Sequence, residues 1–277
     1  MKTRVIIVQT AFFILITIVL FHCATREGSM INNKRDPRKA ALLYSESQKL
    51  FARMNSWTGG PLVYEQKVLD LQAIINENVM DCELISEEDI QKGELTRYRA
   101  LYIVDTLALM QKSVDKIIEF VQNGGFLVAL GDFGRNIDGF WKQPWDFQSV
   151  FGLTPLAIDR WGTSVSDNTN IFQKADLKKN EPLIQGLKDI IHFGRGTKVC
   201  WVTVPDKAVS VAFFPSYLST VSEKTQLIKE QISALSLNQF GKGSAVFFSA
   251  LPGGRREPFT DDIKKVISNT RYYIIEP

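Results

Sequence analysis

Short apolar runs alternate with amphipathic segments in the first half of the chain. Four runs suit buried strands, namely Ala40–Tyr44, Cys82–Ile85, Ala100–Val104 and Phe126–Leu130. Between them, apolar residues recur on one helical face, first at Val68, Leu71, Ile74, Ile75 and Val79, then at Val114, Ile117, Ile118 and Val121. Strands that alternate with helices in this way predict right-handed crossovers and a parallel sheet.

Turn residues mark where these elements end. Trp57–Pro61 contains two glycines and a proline, which indicates a loop. Asn123-Gly124-Gly125 follows the second helical segment and offers a glycine for the left-handed helix cap. Gly131–Gly134 follows the fourth strand and predicts a turn that leads the chain out of it.

The second half of the chain predicts more strands and a closing helix. Two pairs of strand-like runs are Val199–Val204 with Ala208–Phe214, and Ile232–Phe240 with Ala245–Ala250. Ile263, Val266 and Ile267 indicate a helix, with Thr260 as its N-cap. We therefore predict an α/β fold of three layers: a mostly parallel central sheet flanked by helices, with additional β-hairpins in the C-terminal half.

The N-terminal segment has the pattern of an export signal. Lys2 and Arg4 precede an apolar run, Val5–Phe21, and polar residues begin at its end. The run approaches the roughly 17–25 residues of a membrane-spanning helix. Three outcomes stay open: cleavage with a lipid on Cys23, cleavage shortly after residue 23, or retention as a single-pass anchor.

Export determines the predicted domain organisation. Residues 1–23 form a signal peptide or N-terminal membrane anchor, residues 24–39 form a polar linker, and residues 40–277 form a single α/β domain. We expect the protein in the cell envelope, either anchored to the membrane through its N-terminal segment or released as a periplasmic or secreted protein. The membrane is therefore a predicted partner.

Net charge argues against a nucleic-acid partner. The full chain has 33 basic and 30 acidic side chains, and removing Lys2 and Arg4 leaves 31 basic ones. Binding of nucleic acid requires a basic patch, which so even a balance does not suggest.

Cysteine and histidine are too sparse to predict a metal centre. Beyond Cys23 the chain has Cys82 and Cys200, which either form one disulfide or remain two buried thiols. His192 is the only histidine after the N-terminal segment, and we expect it to be structural. The sequence predicts no metal site and no cofactor.

Three stretches in order carry a resemblance to a known superfamily. The first stretch, Tyr98–Leu130, begins with Tyr-Arg-Ala-Leu-Tyr-Ile-Val, continues with a helical face and ends with Asn-Gly-Gly-Phe-Leu-Val-Ala-Leu. The second, Glu181–Leu187, reads Glu-Pro-Leu-Ile-Gln-Gly-Leu. The third, Phe240–Ser249, reads Phe-Gly-Lys-Gly-Ser-Ala-Val-Phe-Phe-Ser. The chain thereby resembles the class I glutamine amidotransferase-like superfamily, and most closely the trimerisation domain of family 42 beta-galactosidases. The resemblance covers residues 40–270 and implies a flavodoxin-like or amidotransferase-like α/β fold.

The resemblance also implies where a nucleophile would lie. Catalytic members of the superfamily place a cysteine on the sharp turn after a central strand, with a histidine to accept its proton. The matching turn here is Leu130–Gly134, and Asp132 occupies the nucleophile position. Cys200 lies within a strand-like run instead. We therefore predict no catalytic residues and a non-catalytic domain.

Asp132 and the residues after it form the candidate ligand site, because ligands of open α/β sheets collect at the carboxyl ends of strands. Asp132 either contacts a sugar hydroxyl or a cation, acts as a general base, or bonds local backbone N–H groups in an Asx-type turn. Aromatic rings nearby offer flat apolar faces to a sugar, or they pack the loop itself. The predicted ligand-binding residues are Asp132, Arg135, Asp138, Trp141, Trp145 and Trp57.

Three functions follow from these observations. The first is a membrane-tethered, non-catalytic binding or assembly domain linked to carbohydrate processing. The second is a glycan or ester hydrolase that uses Asp132 with nearby carboxylates such as Asp138 or Asp146. The third, implied by the likeness to a trimerisation domain, is a structural oligomerisation component of the envelope. The predicted partners are accordingly a carbohydrate ligand and further copies of the chain.

Overall fold

The computed structural model describes residues 35–55, 58–142, 144–157, 174–177, 181–194, 198–199, 202–214, 217–221, 224–228, 232–252 and 257–275. Its strands are β1 Asp36–Leu43, β2 Asp81–Ile85, β3 Tyr98–Leu109, β4 Phe126–Ile137, β5 Phe140–Trp141, β6 Leu153–Ala157, β7 Lys174–Leu177, β8 Ile190–His192, β9 Lys198–Val199, β10 Val202–Pro205, β11 Val209–Phe214, β12 Tyr217–Val221, β13 Lys224–Ile228, β14 Ile232–Phe240, β15 Gly243–Phe248 and β16 Ala250–Leu251. Its α-helices are α1 Glu46–Met54, α2 Pro61–Asn78, α3 Glu87–Lys92, α4 Gln111–Gln122, α5 Gln148–Phe151, α6 Asp261–Asn269 and α7 Arg271–Ile274.

The central sheet has ten strands in the order β2-β1-β3-β4-β15-β14-β11-β7-β8, with β5 paired to β4. Neighbours from β2 to β15 are parallel, and those from β15 to β8 are antiparallel. The predicted α/β fold, with a parallel core and hairpins from the C-terminal half, is confirmed. The order reverses between β1 and β3, which makes the carboxyl ends of these strands the topological switch point.

Helices flank this sheet in two groups. One group consists of α2 and α6, which contact each other, and the other consists of α3 and α4. The crossovers from β1 to β2 and from β3 to β4 run in opposite directions along the sheet, so right-handed connections place their helices on opposite faces. The predicted N-cap Thr260 is confirmed, because its hydroxyl accepts a hydrogen bond from the backbone N–H of Ile263 at 3.3 Å.

One predicted strand pair in the second half does not form. β10 pairs with β6, whereas β11 joins the central sheet beside β14. The cause is local, since the backbone N–H groups of Asp206, Lys207 and Ala208 all donate to the carbonyl oxygen of Gly152 at 2.9–3.0 Å. These three hydrogen bonds turn the chain between β10 and β11, so the two strands do not form a simple hairpin.

Several predictions concern residues at the ends of the described region. β1 begins at Asp36, four residues before the predicted domain start. Residues 1–34, and with them Cys23 and the predicted anchor, lie outside the described residues. Within the described part of the chain, no helix is long and apolar enough to cross a membrane.

Cys82 and His192 both have structural surroundings. Cys82 is a buried free thiol, and burial raises its pKa to about 12; Cys200 lies outside the described residues. His192 Nδ1 lies 2.8 Å from Asp262 Oδ2, and its carbonyl oxygen accepts a hydrogen bond from Thr260. In the described ranges, no group of three His, Cys, Asp or Glu residues could hold a metal ion.

Candidate site at the carboxyl edge of the sheet

β3 and β4 continue to pair beyond the point where the sequence predicts a turn. Val104 is opposite Leu130, and Ala108 is opposite Asn136, so β4 contains two residues more than β3 over this interval. Each extra residue marks a β-bulge. The predicted turn at Gly131–Gly134 is therefore wrong: these residues lie inside a strand that runs to Ile137.

Two glycines make the bulges possible. Gly131 and Gly134 have φ values of +81° and +58°, a region that side chains other than hydrogen disfavour. A Cβ atom on Gly131 would lie 2.9 Å from Leu251 Cβ, and one on Gly134 would lie 2.8 Å from the Phe147 ring. Backbone conformation and close packing thus both require glycine at these positions.

The bulges bring Asp132 and Arg135 together inside the protein. In a regular strand, residues three apart point to opposite faces, but a bulge between them puts both side chains on one face. Arg135 Nη1 lies 3.5 Å from Asp132 Oδ1, and the two side chains are 2% and 4% exposed. The carboxylate that the sequence offers to a ligand is therefore an internal ion-pair partner.

Asp105 is a site residue that the sequence analysis missed. It lies in β3 opposite the Gly131–Asp132 bulge, is 5% exposed and has a φ of +42°. A left-handed conformation costs a residue other than glycine about 1–2 kcal/mol, and such strain concentrates at functional sites. Its signal in the sequence is a carboxylate that directly follows the apolar run Ala100–Val104 at the switch point.

Buried groups from α2 face this end of β3. Burial lowers the pKa of Lys67, while the negative charges of Asp70, Asp105 and Glu257 oppose that shift. Lys67 Nζ donates a hydrogen bond to the carbonyl oxygen of Glu257 and lies 4.8 Å from the centre of the Phe259 ring. Asp105 is thus in the electrostatic field of a buried ammonium group.

Glu87 connects the loops at this edge, and both of its carboxylate oxygens accept hydrogen bonds from the protein itself. Its Oε1 atom accepts hydrogen bonds from Ser45 Oγ at 2.6 Å and from the backbone N–H of Ser47 at 3.3 Å. Its Oε2 atom accepts from the backbone N–H of Met110 at 2.9 Å. One buried carboxylate therefore holds the segments that follow β1, β2 and β3 in fixed positions.

The predicted loop after Arg135 is a β-hairpin. β4 and β5 pair around Asp138-Gly139, whose φ values of +52° and +83° suit a type I′ turn. Asp138 Oδ1 also accepts a hydrogen bond from the backbone N–H of Gln111 at the start of α4, at 3.1 Å. The Asp-Gly dipeptide is a hairpin signal that the sequence analysis did not use.

Two predicted tryptophans have opposite environments. Trp145 is buried, donates from Nε1 to the carbonyl oxygen of Phe133 at 3.1 Å and stacks on Phe151 at 5.4 Å. Trp141 is 42% exposed, and its ring centre lies 5.5 Å from Arg135 Cζ and 6.2 Å from the Phe51 ring. Trp145 is therefore a core residue, and Trp141 is an aromatic surface above a buried cation.

The structure thus brings together part of the predicted set. Asp132 contacts Arg135, and Arg135 in turn lies beside the Trp141 ring. Together with Asp105, these three residues form what we call the carboxyl-edge site. Asp138 supports the neighbouring hairpin instead. Trp57 lies outside the described residues.

Comparisons with known proteins give this geometry a context. No protein-family model matches the sequence, and no curated protein matches it. Among solved structures, a beta-galactosidase from Bacillus circulans sp. alkalophilus is 17% identical with a TM-score of 0.62, covering 90% of this chain and 32% of that one. A beta-galactosidase from Rahnella sp. R3 is 19% identical with a TM-score of 0.59, covering 86% of this chain and 31% of that one.

A smaller protein shares the fold over most of its own length. A ThuA-like protein from Bacteroides uniformis is 11% identical with a TM-score of 0.53, covering 87% of this chain and 93% of that one. At these identities the likeness shows the fold alone. The chain spans about a third of the beta-galactosidases it matches, and the amidotransferase-like fold that the sequence implies is supported.

Proposed function

We propose that this protein is a membrane-tethered, non-catalytic domain that binds carbohydrate at the carboxyl-edge site. The observation that carries the proposal is the position of Trp141, an exposed ring held over Arg135 and against Phe51. A ring fixed on two sides loses little conformational entropy when a sugar stacks on its free face.

The buried ion pair supports a binding role over a catalytic one. A general base must reach the proton that it removes, yet the Asp132 side chain is 4% exposed and lies beside Arg135. At the position where catalytic members of the superfamily have a nucleophilic cysteine, this chain has Asp132, and Asp105 lies opposite it in β3. These residues keep the strand ends rigid beneath Trp141.

Location and assembly complete the proposal. The export pattern of residues 1–23 supports tethering in the cell envelope. Several solved structures with this fold are beta-galactosidases, which supports a link to carbohydrate processing. The resemblance of the sequence to a trimerisation domain supports association with further copies of the chain.

Ligand-induced thermal stabilisation tests this proposal. We expect at least one member of a panel containing lactose, cellobiose, xylobiose and mannobiose to raise the Tm of the full chain. Saturation at 100 times Kd corresponds to about 2.7 kcal/mol of added stability. The Trp141→Ala variant should fold with an unchanged far-UV spectrum and lose the ligand-dependent rise.

A matched control separates stacking from general loss of apolar surface. Leu69 is 51% exposed on α2, away from the hairpin, so Leu69→Ala should keep the full ligand response. Equal responses of the Trp141→Ala and Leu69→Ala proteins, or no response of the wild-type chain to any sugar, would contradict the proposal.

A second function is favoured by the strain at Asp105. A hydrolase acting on a glycan or ester would use Asp105, in the field of Lys67, to activate water; because Asp105 is as buried as Asp132, this function also requires the strand ends to open when substrate binds. Asp105→Asn keeps the shape and should then abolish release of p-nitrophenol from p-nitrophenyl glycosides and acetate, while Asp115→Asn, at an exposed position of α4, should not. A wild-type chain that releases no p-nitrophenol from either substrate class rules this alternative out.

A further inference from the structure

The amino edge of the parallel sheet contains a cleft of about 470 Å³. It opens where β3, β4 and β15 begin, on the side of the sheet opposite the carboxyl-edge site. Its polar lining includes Arg99, Lys242, Ser244, Tyr272 and Tyr273. We call it the amino-edge cleft.

Two guanidinium groups and the first atoms of a lysine lie against Gly124, a residue that lines this cleft. Arg99 Nη1 donates a hydrogen bond to the Gly124 carbonyl oxygen at 2.8 Å. A Cβ atom on Gly124 would lie 3.2 Å from Arg35 Nη1 and 3.7 Å from Lys242 Cβ. Two positive charges, on Arg99 of β3 and on Arg35 just before β1, are therefore close together, and Lys242 of the β14–β15 turn lines the same cleft.

Within the described part of the chain no carboxylate forms an ion pair with these cations, although the negative charge of Glu181 reaches Tyr273 in the cleft wall. The cleft lining contains no acidic side chain, and none of the ion pairs formed within the described part of the chain involves Arg35, Arg99 or Lys242. Other cations at the same edge are paired, as Lys39 is with Glu83 at 2.5 Å. Like charges held together without counter-charges favour an anion between them.

The structure fixes the direction of the Arg99 guanidinium. Nε donates to the carbonyl oxygen of Ile274 at 3.2 Å and Nη1 to that of Gly124 at 2.8 Å. Both acceptors are backbone atoms, so they hold the Arg99 guanidinium in place. A guanidinium has five N–H donors, and the hydrogen bonds to described residues leave some of them for a ligand. A fixed guanidinium loses little entropy on binding, and its geometry suits the oxygens of a phosphate.

A tyrosine ring forms part of the cleft wall. Burial, followed by the negative charge of Glu181, raises the pKa of Tyr273 to about 12. Its hydroxyl oxygen is buried, so Tyr273 shapes the cleft and leaves the binding of an anion to Arg99 and Lys242. Its ring stacks on Phe126 at 5.9 Å, which fixes the ring in the cleft wall.

We propose that the amino-edge cleft binds a phosphate-bearing anion, with Arg99 as the bidentate donor and Lys242 as the second charge. This site is independent of the proposed sugar site, which lies at the other edge. Two sources supply the same chemistry, a free phosphate and a lipid headgroup.

Backbone amide NMR of the full chain in non-ionic detergent tests the site. Inorganic phosphate is titrated in one series, and monomeric dihexanoyl phosphatidylglycerol in another, with dihexanoyl phosphatidylcholine as the zwitterionic comparison. We expect saturable shifts of the Gly124, Gly125 and Gly243 amides. Response to phosphate identifies a free anion as sufficient, whereas response to phosphatidylglycerol alone identifies a lipid headgroup.

Two variants decide whether the cleft is responsible. Lys242 is exposed, so Lys242→Gln should fold normally and weaken binding about three- to tenfold. Lys112 is exposed at the opposite edge, and Lys112→Gln removes the same charge with no more than a twofold effect. Arg99→Lys keeps the charge but not the fork, and should also weaken binding. Equal dissociation constants for Lys242→Gln and Lys112→Gln, or no saturable shifts below about 20 mM of either probe, would overturn the proposal.

Discussion

Charged side chains are arranged differently at the carboxyl edge and at the amino edge of the parallel sheet. At the carboxyl edge, Asp132 and Arg135 are buried together at 3.5 Å, and Asp105 has a strained backbone in the field of Lys67. At the amino edge, Arg35, Arg99 and Lys242 surround Gly124 beside an open cleft. The strand ends most often used by ligands are therefore closed here by the protein's own ion pair, which leaves an aromatic surface for binding.

The largest expected effect comes from breaking the buried ion pair. Arg135→Met removes the partner of a buried carboxylate, which typically costs about 3–5 kcal/mol of unfolding free energy. The exposed pair of Arg97 and Glu94, with side chains 50% and 40% exposed, provides the comparison. There Arg97→Met should cost no more than about 1 kcal/mol.

Urea unfolding followed by circular dichroism measures both variants. Adding Asp132→Asn to Arg135→Met should restore part of the lost stability, because the uncompensated charge is removed. If Arg135→Met and Arg97→Met cost the same, the carboxyl-edge pair is not the buried element that we describe.

The next effect isolates the packing of a bulge glycine. Gly131 and Gly139 have nearly equal φ values of +81° and +83°, but a Cβ atom meets Leu251 at 2.9 Å only at Gly131 and nothing within 4 Å at Gly139. Gly139→Ala should cost about 1–2 kcal/mol of backbone strain, and Gly131→Ala should cost about 1–3 kcal/mol more through overpacking.

Differential scanning calorimetry of the two alanine variants checks this ranking. A Gly139→Ala protein as unstable as the Gly131→Ala protein would show that backbone conformation alone, without contact to Leu251, determines the bulge.

A smaller effect is the pH dependence of the stability that the paired carboxylate of Glu83 contributes. Hydrogen bonds from Lys39 and then Tyr98 lower the pKa of Glu83 from its usual 4.5. The folded-state pKa lies below the unfolded value, so Glu83 contributes stability above that unfolded value and the contribution disappears as pH falls through the folded pKa. The difference in stability between the wild type and Glu83→Gln should shrink below pH 4.5. A constant difference down to pH 2 would contradict the pairing.

The smallest effect compares two lysines at the amino edge. Lys39 is paired with Glu83, and Lys242 lies among like charges, so Lys39→Gln should lower Tm slightly and Lys242→Gln should raise it. Both changes should fade as salt is added, because exposed charges are screened. A fall in Tm for Lys242→Gln in low salt would indicate a counter-charge for this lysine.

The fold was predictable wherever apolar periodicity was strong. Ala100–Val104 and Phe126–Leu130 were predicted as strands, and both are parts of buried central strands. The extension of β4 to Ile137 could not be predicted, because Gly131 and Gly134 indicate a turn in isolation. Their bulge conformation depends on pairing with β3 and on packing against Leu251 and Phe147.

The candidate site was predictable in part for the same reason. Asp132, Arg135 and Trp141 were chosen for chemistry and sequence proximity, and they are neighbours in space. Trp145 has the same side chain as Trp141 but is buried in the core. Tertiary packing determines which of the two tryptophans is exposed, and the local sequence contains no sign of it. Asp105 was missed because its left-handed backbone and its closeness to Lys67 leave no periodic signal. The cluster around Gly124 joins residues from three separate parts of the chain.

A crystal structure of the full chain with the tightest-binding sugar of the panel tests the central claim most directly. We expect sugar density stacked on the Trp141 ring, with Asp132 still within ion-pair distance of Arg135. A sugar bound elsewhere, or an Asp132 carboxylate turned away from Arg135 to contact the glycosidic oxygen, would contradict a non-catalytic binding site at the carboxyl edge.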